Sequence, residues 1–114
     1  MNIDFKWVAD DAYEKDYLDQ FCDNSKSKEF CWWISIDLIN DSKSFKDIIN
    51  LINHAELGSS NEWRGNTHRL AISPKGVILF EPRVNIKYEY TLSEFKDSMN
   101  AWHTATTVIN KKQT

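Results

Sequence analysis

The sequence predicts an α+β fold: a twisted antiparallel β-sheet with a meander over residues 67–90, packed with about three α-helices, the C-terminal helix lying on the sheet. Three observations predict it. Apolar and polar residues alternate with a period of two between Thr67 and Tyr90, interrupted only by turn chemistry. Apolar stripes at helical spacing run over residues 42–57 and 92–110. The chain has 114 residues, 41% of them hydrophobic, which suffices for one core and not two, so residues 1–114 are read as a single domain.

In chain order, Ile3, Phe5 and Trp7 share one side of a short strand over 3–8. Asp10 and Asp11 read as a helix start, with Glu14 three residues after Asp11. Tyr13, Tyr17, Leu18 and Phe21 then form a stripe that predicts a helix near 11–24. Residues 24–30 read as a polar break. Residues 31–39 read two ways: Ile34, Ile36 and Leu38 alternate as in a strand, while the length also suits a short buried helix. The order of 3–8 and 31–39 in the sheet stays open.

The second helix is clearer. Asp41 to Ser44 offer caps, and Phe45, Ile48, Ile49, Ile52 and Ala55 follow at i, i+3, i+4, i+7 spacing. Gly58 supplies the stop. In the meander, His68, Leu70 and Ile72 share a face opposite Thr67, Arg69 and Ala71. Ser73-Pro74-Lys75-Gly76 reads as a type I hairpin turn, with Pro presetting φ and Gly accepting a positive φ. Residues 77–81 return as the second strand, which Pro82 ends. Val84, Ile86, Tyr88 and Tyr90 alternate with Asn85, Lys87 and Glu89 in a third. Thr91-Leu-Ser-Glu94 is a capping box, and Tyr90 with Phe95 forms a hydrophobic staple. Phe95, Met99, Trp102, Thr106 and Ile109 make the stripe of the last helix.

Composition narrows function. No apolar run approaches the roughly 20 residues that span a bilayer, and the acidic, charge-broken first residues lack a signal pattern. The expectation is a cytoplasmic protein with no membrane partner. Cys22 and Cys31 match no metal or redox spacing and read as reduced small hydrophobes. Residues 1–23 carry seven acidic and two basic side chains, whereas the remainder carries ten acidic and twelve basic ones. An acid-biased end on a mildly basic body disfavours nucleic acid as a direct partner and suits a basic protein.

Candidate chemistry is sparse. His68 alternates with core-facing Leu70 and Ile72, and no nucleophile or carboxylate partner for it is fixed by the sequence. His54 and His103 sit on helices without ligand spacing, so no metal is expected. Gly65-Asn66 lacks any phosphate-loop frame and reads as a conformational turn with Trp63 beneath. No cofactor and no catalytic residues are expected. On a helix over 11–24, Asp16, Asp19 and Asp23 would form a carboxylate ridge opposite Tyr13 and Tyr17, able to meet lysines and arginines of a partner. Trp32 and Trp33 would add anchors beside it: adjacent residues of a strand point to opposite faces, which puts one of the pair outside or one in each of two packed layers.

Residues 42–110 carry a familiar order. An amphipathic helix leads to "EWRGNTHRLAISPKGVILF", a strand, and "LSEFKDSMNAW" on a last helix. Through Trp63, Gly65, Asn66, Leu70, Ile72, Val77, Leu79, Leu92, Phe95 and Trp102, the chain resembles small bacterial immunity proteins of contact-dependent growth inhibition toxin systems. The resemblance implies a cytosolic protein that binds and neutralises the cognate toxin C-terminal domain, often a nuclease, and carries over no catalytic residues. The expected function is therefore stoichiometric occlusion of a basic toxin domain. The rival expectation is a small enzyme or nucleotide-binding regulator built on His68, Asn66 and Arg69. A third is a homo-oligomeric module using the Trp pair.

Overall fold

Alternation from Arg69 to Tyr90 builds the sheet. A computed structural model describes residues 3–10, 15–22, 24–38 and 41–113. Among them the order is β1 (Ile3–Asp10), β2 (Lys15–Cys22), α1 (Ser25–Asp37), α2 (Ser42–Glu56), β3 (Asn61–Arg64), β4 (Arg69–Ser73), β5 (Gly76–Glu81), β6 (Ile86–Tyr90) and α3 (Leu92–Gln113). Strands β3 to β6 form an antiparallel meander in sequence order, and β1 and β2 form a separate antiparallel hairpin. The fold is α+β, with the expected three-strand meander extended by β3.

Register puts Trp63, Leu70, Leu79 and Tyr88 in one row across the meander, and Ile72, Val77 and Tyr90 in the next on the same face. Leu70, Ile72, Val77, Leu79 and Tyr90 are buried there. Helix α3 closes this face with Phe95, Met99 and Trp102, and α2 adds Phe45, Ile48, Ile52 and Ala55. The Pro74-Lys75 turn pairs Ser73 with Gly76. Gly76 has φ +137°, and a Cβ there would run into the Tyr90 carbonyl, so the position requires glycine twice over.

The helix expected near 11–24 is not formed; residues 15–22 are a strand paired with 3–10. The physical reason is competition. Segment 3–10 alternates and needs a partner for its backbone groups, and Tyr17 and Phe21 favour a pleated strand at least as well as a helix. Pairing also spares the segment the helical spacing of its carboxylates. A helix would instead have stacked like charges three and four residues apart.

The two-way reading of 31–39 resolves as helix up to Asp37, with Leu38 as its cap and residue 39 outside the described residues, and α1 also takes in most of the expected polar break. Asn24 caps it, its side chain accepting from Ser27 N at 2.9 Å. The buried stripe is Ser27, Phe30, Cys31, Ile34 and Leu38, with Trp33 and Asp37 alongside. Polar Ser27 and Asp37 within that stripe disguise the helical period. Exposed Ile36 supplies a false alternation.

The remaining ends follow their capping chemistry. Asp41 accepts from Ser44 N at 2.9 Å and Ser44 Oγ at 2.7 Å, and the backbone bond lowers its carboxyl pKa. At α3, Glu94 N donates to Thr91 Oγ1 at 3.0 Å while Thr91 N donates to Glu94 Oε2 at 2.7 Å. The Tyr90 and Phe95 rings meet edge to face at 5.3 Å. Lys26 of α1 pairs with Glu94 at 3.2 Å and lies over the Tyr90 ring, and Tyr90 Oη donates to the Lys26 carbonyl at 2.6 Å. Helix α1 is thereby fastened to the start of α3.

Candidate functional site

Glu29, Trp33 and Asp37 recur every four residues, so they lie along one side of α1. That side meets the β3–β4 loop, which Gly65 N closes by donating to the His68 carbonyl at 2.9 Å. Consecutive amides of this loop point at Asp37. Thr67 N donates to Oδ1 at 3.2 Å and His68 N to Oδ2 at 3.2 Å. Two adjacent N–H groups make a ready anion cradle, and here the protein's own carboxylate fills it.

The loop can approach because residue 65 is glycine. A Cβ on Gly65 would collide with the Asp37 carboxylate and come within 2.6 Å of Trp63 Cη2. This is the physical role of Gly65: close contact with α1, with Trp63 packed beneath as expected.

His68 is fully enclosed. Its Nε2 lies 2.8 Å from Glu29 Oε1 and its Nδ1 lies 2.6 Å from Thr67 Oγ1. A carboxylate only accepts, so the hydrogen of the Glu29 contact is carried by Nε2, while the Thr67 hydroxyl stands against Nδ1. That hydroxyl is also within 3.1 Å of Asp37 Oδ1, to which it donates. Trp32 covers the imidazole from outside, ring edge to face at 5.2 Å, and remains 43% exposed itself. Ile36, one turn further on, is 39% exposed. Lys28, Trp32 and Ile36 therefore form an outward stripe beside the buried network.

The expected site residues separate. Trp33 is a correction: its side chain is completely buried, against Phe30 at 5.6 Å, Phe95 at 5.4 Å and Trp63 at 6.0 Å, and has no surface to offer a partner. Its indole nitrogen has no hydrogen-bond partner among the described residues. Trp32 does face outward. Asp16, Asp19 and Tyr17 belong to strand β2, so the helical ridge through Asp16, Asp19 and Asp23 does not form. Tyr13 and Asp23 lie outside the described residues.

The rival trio His68, Asn66 and Arg69 is not gathered either. His68 is interior, Asn66 is exposed in the loop, and Arg69 is exposed on the opposite face of the sheet. The structure instead joins His68 to Glu29, Thr67 and Asp37. Their only signal in the sequence was position: Glu29 and Asp37 are eight residues apart, two helical turns, on a helix that the polar break concealed.

Among the described residues no His, Cys, Asp and Glu group has the arrangement to hold a metal ion, and no helix is long and apolar enough to cross a membrane. No family model, curated protein or solved structure matches the chain.

Proposed function

We propose that the protein is a stoichiometric inhibitor of the immunity type, binding a cognate toxin domain through the outer face of α1. The observation that carries this reading is Trp32. It is a large aromatic side chain, nearly half exposed, seated against a buried imidazole. A rigid exposed tryptophan is the residue type that most often dominates a protein interface. Ile36 extends the apolar contact, and Lys28 borders it. The acid-biased first 23 residues add steering toward a basic domain.

The carboxylate–imidazole–hydroxyl order of Glu29, His68 and Thr67 favours a second reading, hydrolytic chemistry. Against it, the His68 side chain has no exposed surface, and its ring nitrogens already face partners within the fold. A general base must reach the proton that it removes.

The deciding experiment is co-expression with the toxin-like C-terminal domain encoded in the adjacent upstream reading frame. A 1:1 complex by light scattering, lost in Trp32→Ala with folding intact, supports inhibition. No complex, together with a turnover activity abolished in His68→Asn, supports the enzyme.

A further inference from the structure

The outer face of the meander carries a pattern that the α1 surface does not explain. Register aligns Arg64, Arg69, Phe80 and Lys87 in one row across all four strands. The next outward row is Glu62, Ala71, Ile78 and Glu89. Every member except half-buried Phe80 is exposed. Lys87 Nζ lies over the Phe80 ring at 5.3 Å, and Arg64 approaches Glu62 at 4.0 Å. One row is thus basic around an aromatic ring, and its neighbour is acidic around two aliphatic side chains.

We infer that this face binds a second copy of the chain in a two-fold symmetric dimer. Consider an axis lying in the face, parallel to the rows and midway between them. It reverses the strand direction and keeps the strand order, so each row of one copy meets the other row of its partner. Arg64 then opposes Glu62, Lys87 opposes Glu89, Phe80 opposes Ile78 and Arg69 opposes Ala71, each contact occurring twice. An axis along the strands would instead set Arg64 against Lys87 and Glu62 against Glu89, like against like. Charge therefore selects one symmetric arrangement, the self-complementary kind that a closed dimer requires.

Four strands about 4.8 Å apart and two rows of side chains cover roughly 300 Å² per copy. Stable dimers bury roughly 800 Å² per partner, so this dimer is weak and concentration-dependent. It leaves Trp32 uncovered and does not depend on the toxin-binding reading.

The test is sedimentation equilibrium of the full chain from about 10 µM to about 1 mM, with three samples. Wild type is expected to shift toward dimer as concentration rises and back toward monomer with added salt. R64E/K87E, which leaves Arg69 as the only cation of the two rows, and E62K/E89K, which leaves them wholly basic, are each expected to stay monomeric with unchanged circular dichroism. Their equimolar mixture is expected to associate at least as tightly as wild type. Wild type monomeric at about 1 mM would overturn the inference and leave the face to a different protein. So would reversed variants that still self-associate, or a mixture that does not. If either variant is unfolded, Phe80→Ser, expected to be monomeric, replaces it in the comparison with wild type.

Discussion

Glu29 Oε1 and His68 Nε2 meet at 2.8 Å although 39 residues separate them in the sequence. That contact ties a helix to the start of a strand and places an imidazole where solvent does not reach. Its surroundings make it a structural clamp: Thr67 on the other nitrogen, Asp37 on the loop amides, Trp32 over the ring.

His68→Ala should therefore destabilise the fold by roughly 2–4 kcal/mol, from a cavity and orphaned hydrogen-bonding groups. Glu29→Gln, which retains an acceptor oxygen, should cost less. Urea unfolding followed by tryptophan fluorescence measures both. An unmoved midpoint in His68→Ala would show that the clamp holds nothing.

Gly65→Ala should cost roughly 1–3 kcal/mol, because the added methyl group overlaps Asp37 and Trp63. Asp37→Ser removes part of that overlap, so the double variant should lose less than the sum of the singles. A coupling of roughly 0.5–3 kcal/mol is expected, and strict additivity in the cycle would refute the contact.

The adjacent tryptophans should behave oppositely. Trp33→Ala empties the core and should destabilise by roughly 3–5 kcal/mol. Trp32→Ala should leave the thermal midpoint within a few degrees of wild type and, under the proposed inhibitor function, weaken toxin-domain binding by about 2 kcal/mol or more. Calorimetric titration and a thermal melt on each variant separate the two roles.

The legible parts of this fold were those whose signal is local. The Thr91–Glu94 box, the Tyr90–Phe95 staple, the Asp41 cap and the Pro74–Gly76 turn each involve residues within five positions of one another, and each is present as expected. Strand β2 was not legible, because Tyr17, Leu18 and Phe21 satisfy a helical period while the pairing that overrides it comes from Ile3–Asp10. Helix α1 was hidden for a different reason: Ser27 and Asp37 face inward and Ile36 outward, so its apolar pattern misreports its burial. The site suffered from both effects. His68 was visible as a residue in step with core-facing Leu70 and Ile72 at the strand's entry, but its carboxylates sit on the concealed helix.

Acid should reveal the node at the start of α3. Burial tends to raise the Glu94 carboxyl's pKa, but the Thr91 amide and the Lys26 ammonium outweigh it, and the net value falls below that of an ordinary glutamate. A carboxyl depressed on folding contributes stability above its unfolded pKa and loses it as pH falls through the folded one. Unfolding free energy measured from neutral to acidic pH should therefore decline less in Glu94→Gln than in wild type. Thr91→Ala should cost about 1 kcal/mol at neutral pH, and parallel acid limbs for Glu94→Gln and wild type would count against this assignment.

The Tyr90 hydroxyl on the Lys26 carbonyl bridges 64 residues. Around it, rings from α1 interlock with a ring of α3, so the first half of the molecule holds part of an interior whose other walls lie in the second half. A backbone cut among the exposed residues Leu57 to Ser60 would yield two pieces, each with raw apolar surface. Neither would close that interior alone, so recovery of the tryptophan fluorescence of the whole on mixing the pieces measures how far those interlocked rings suffice to reassemble it.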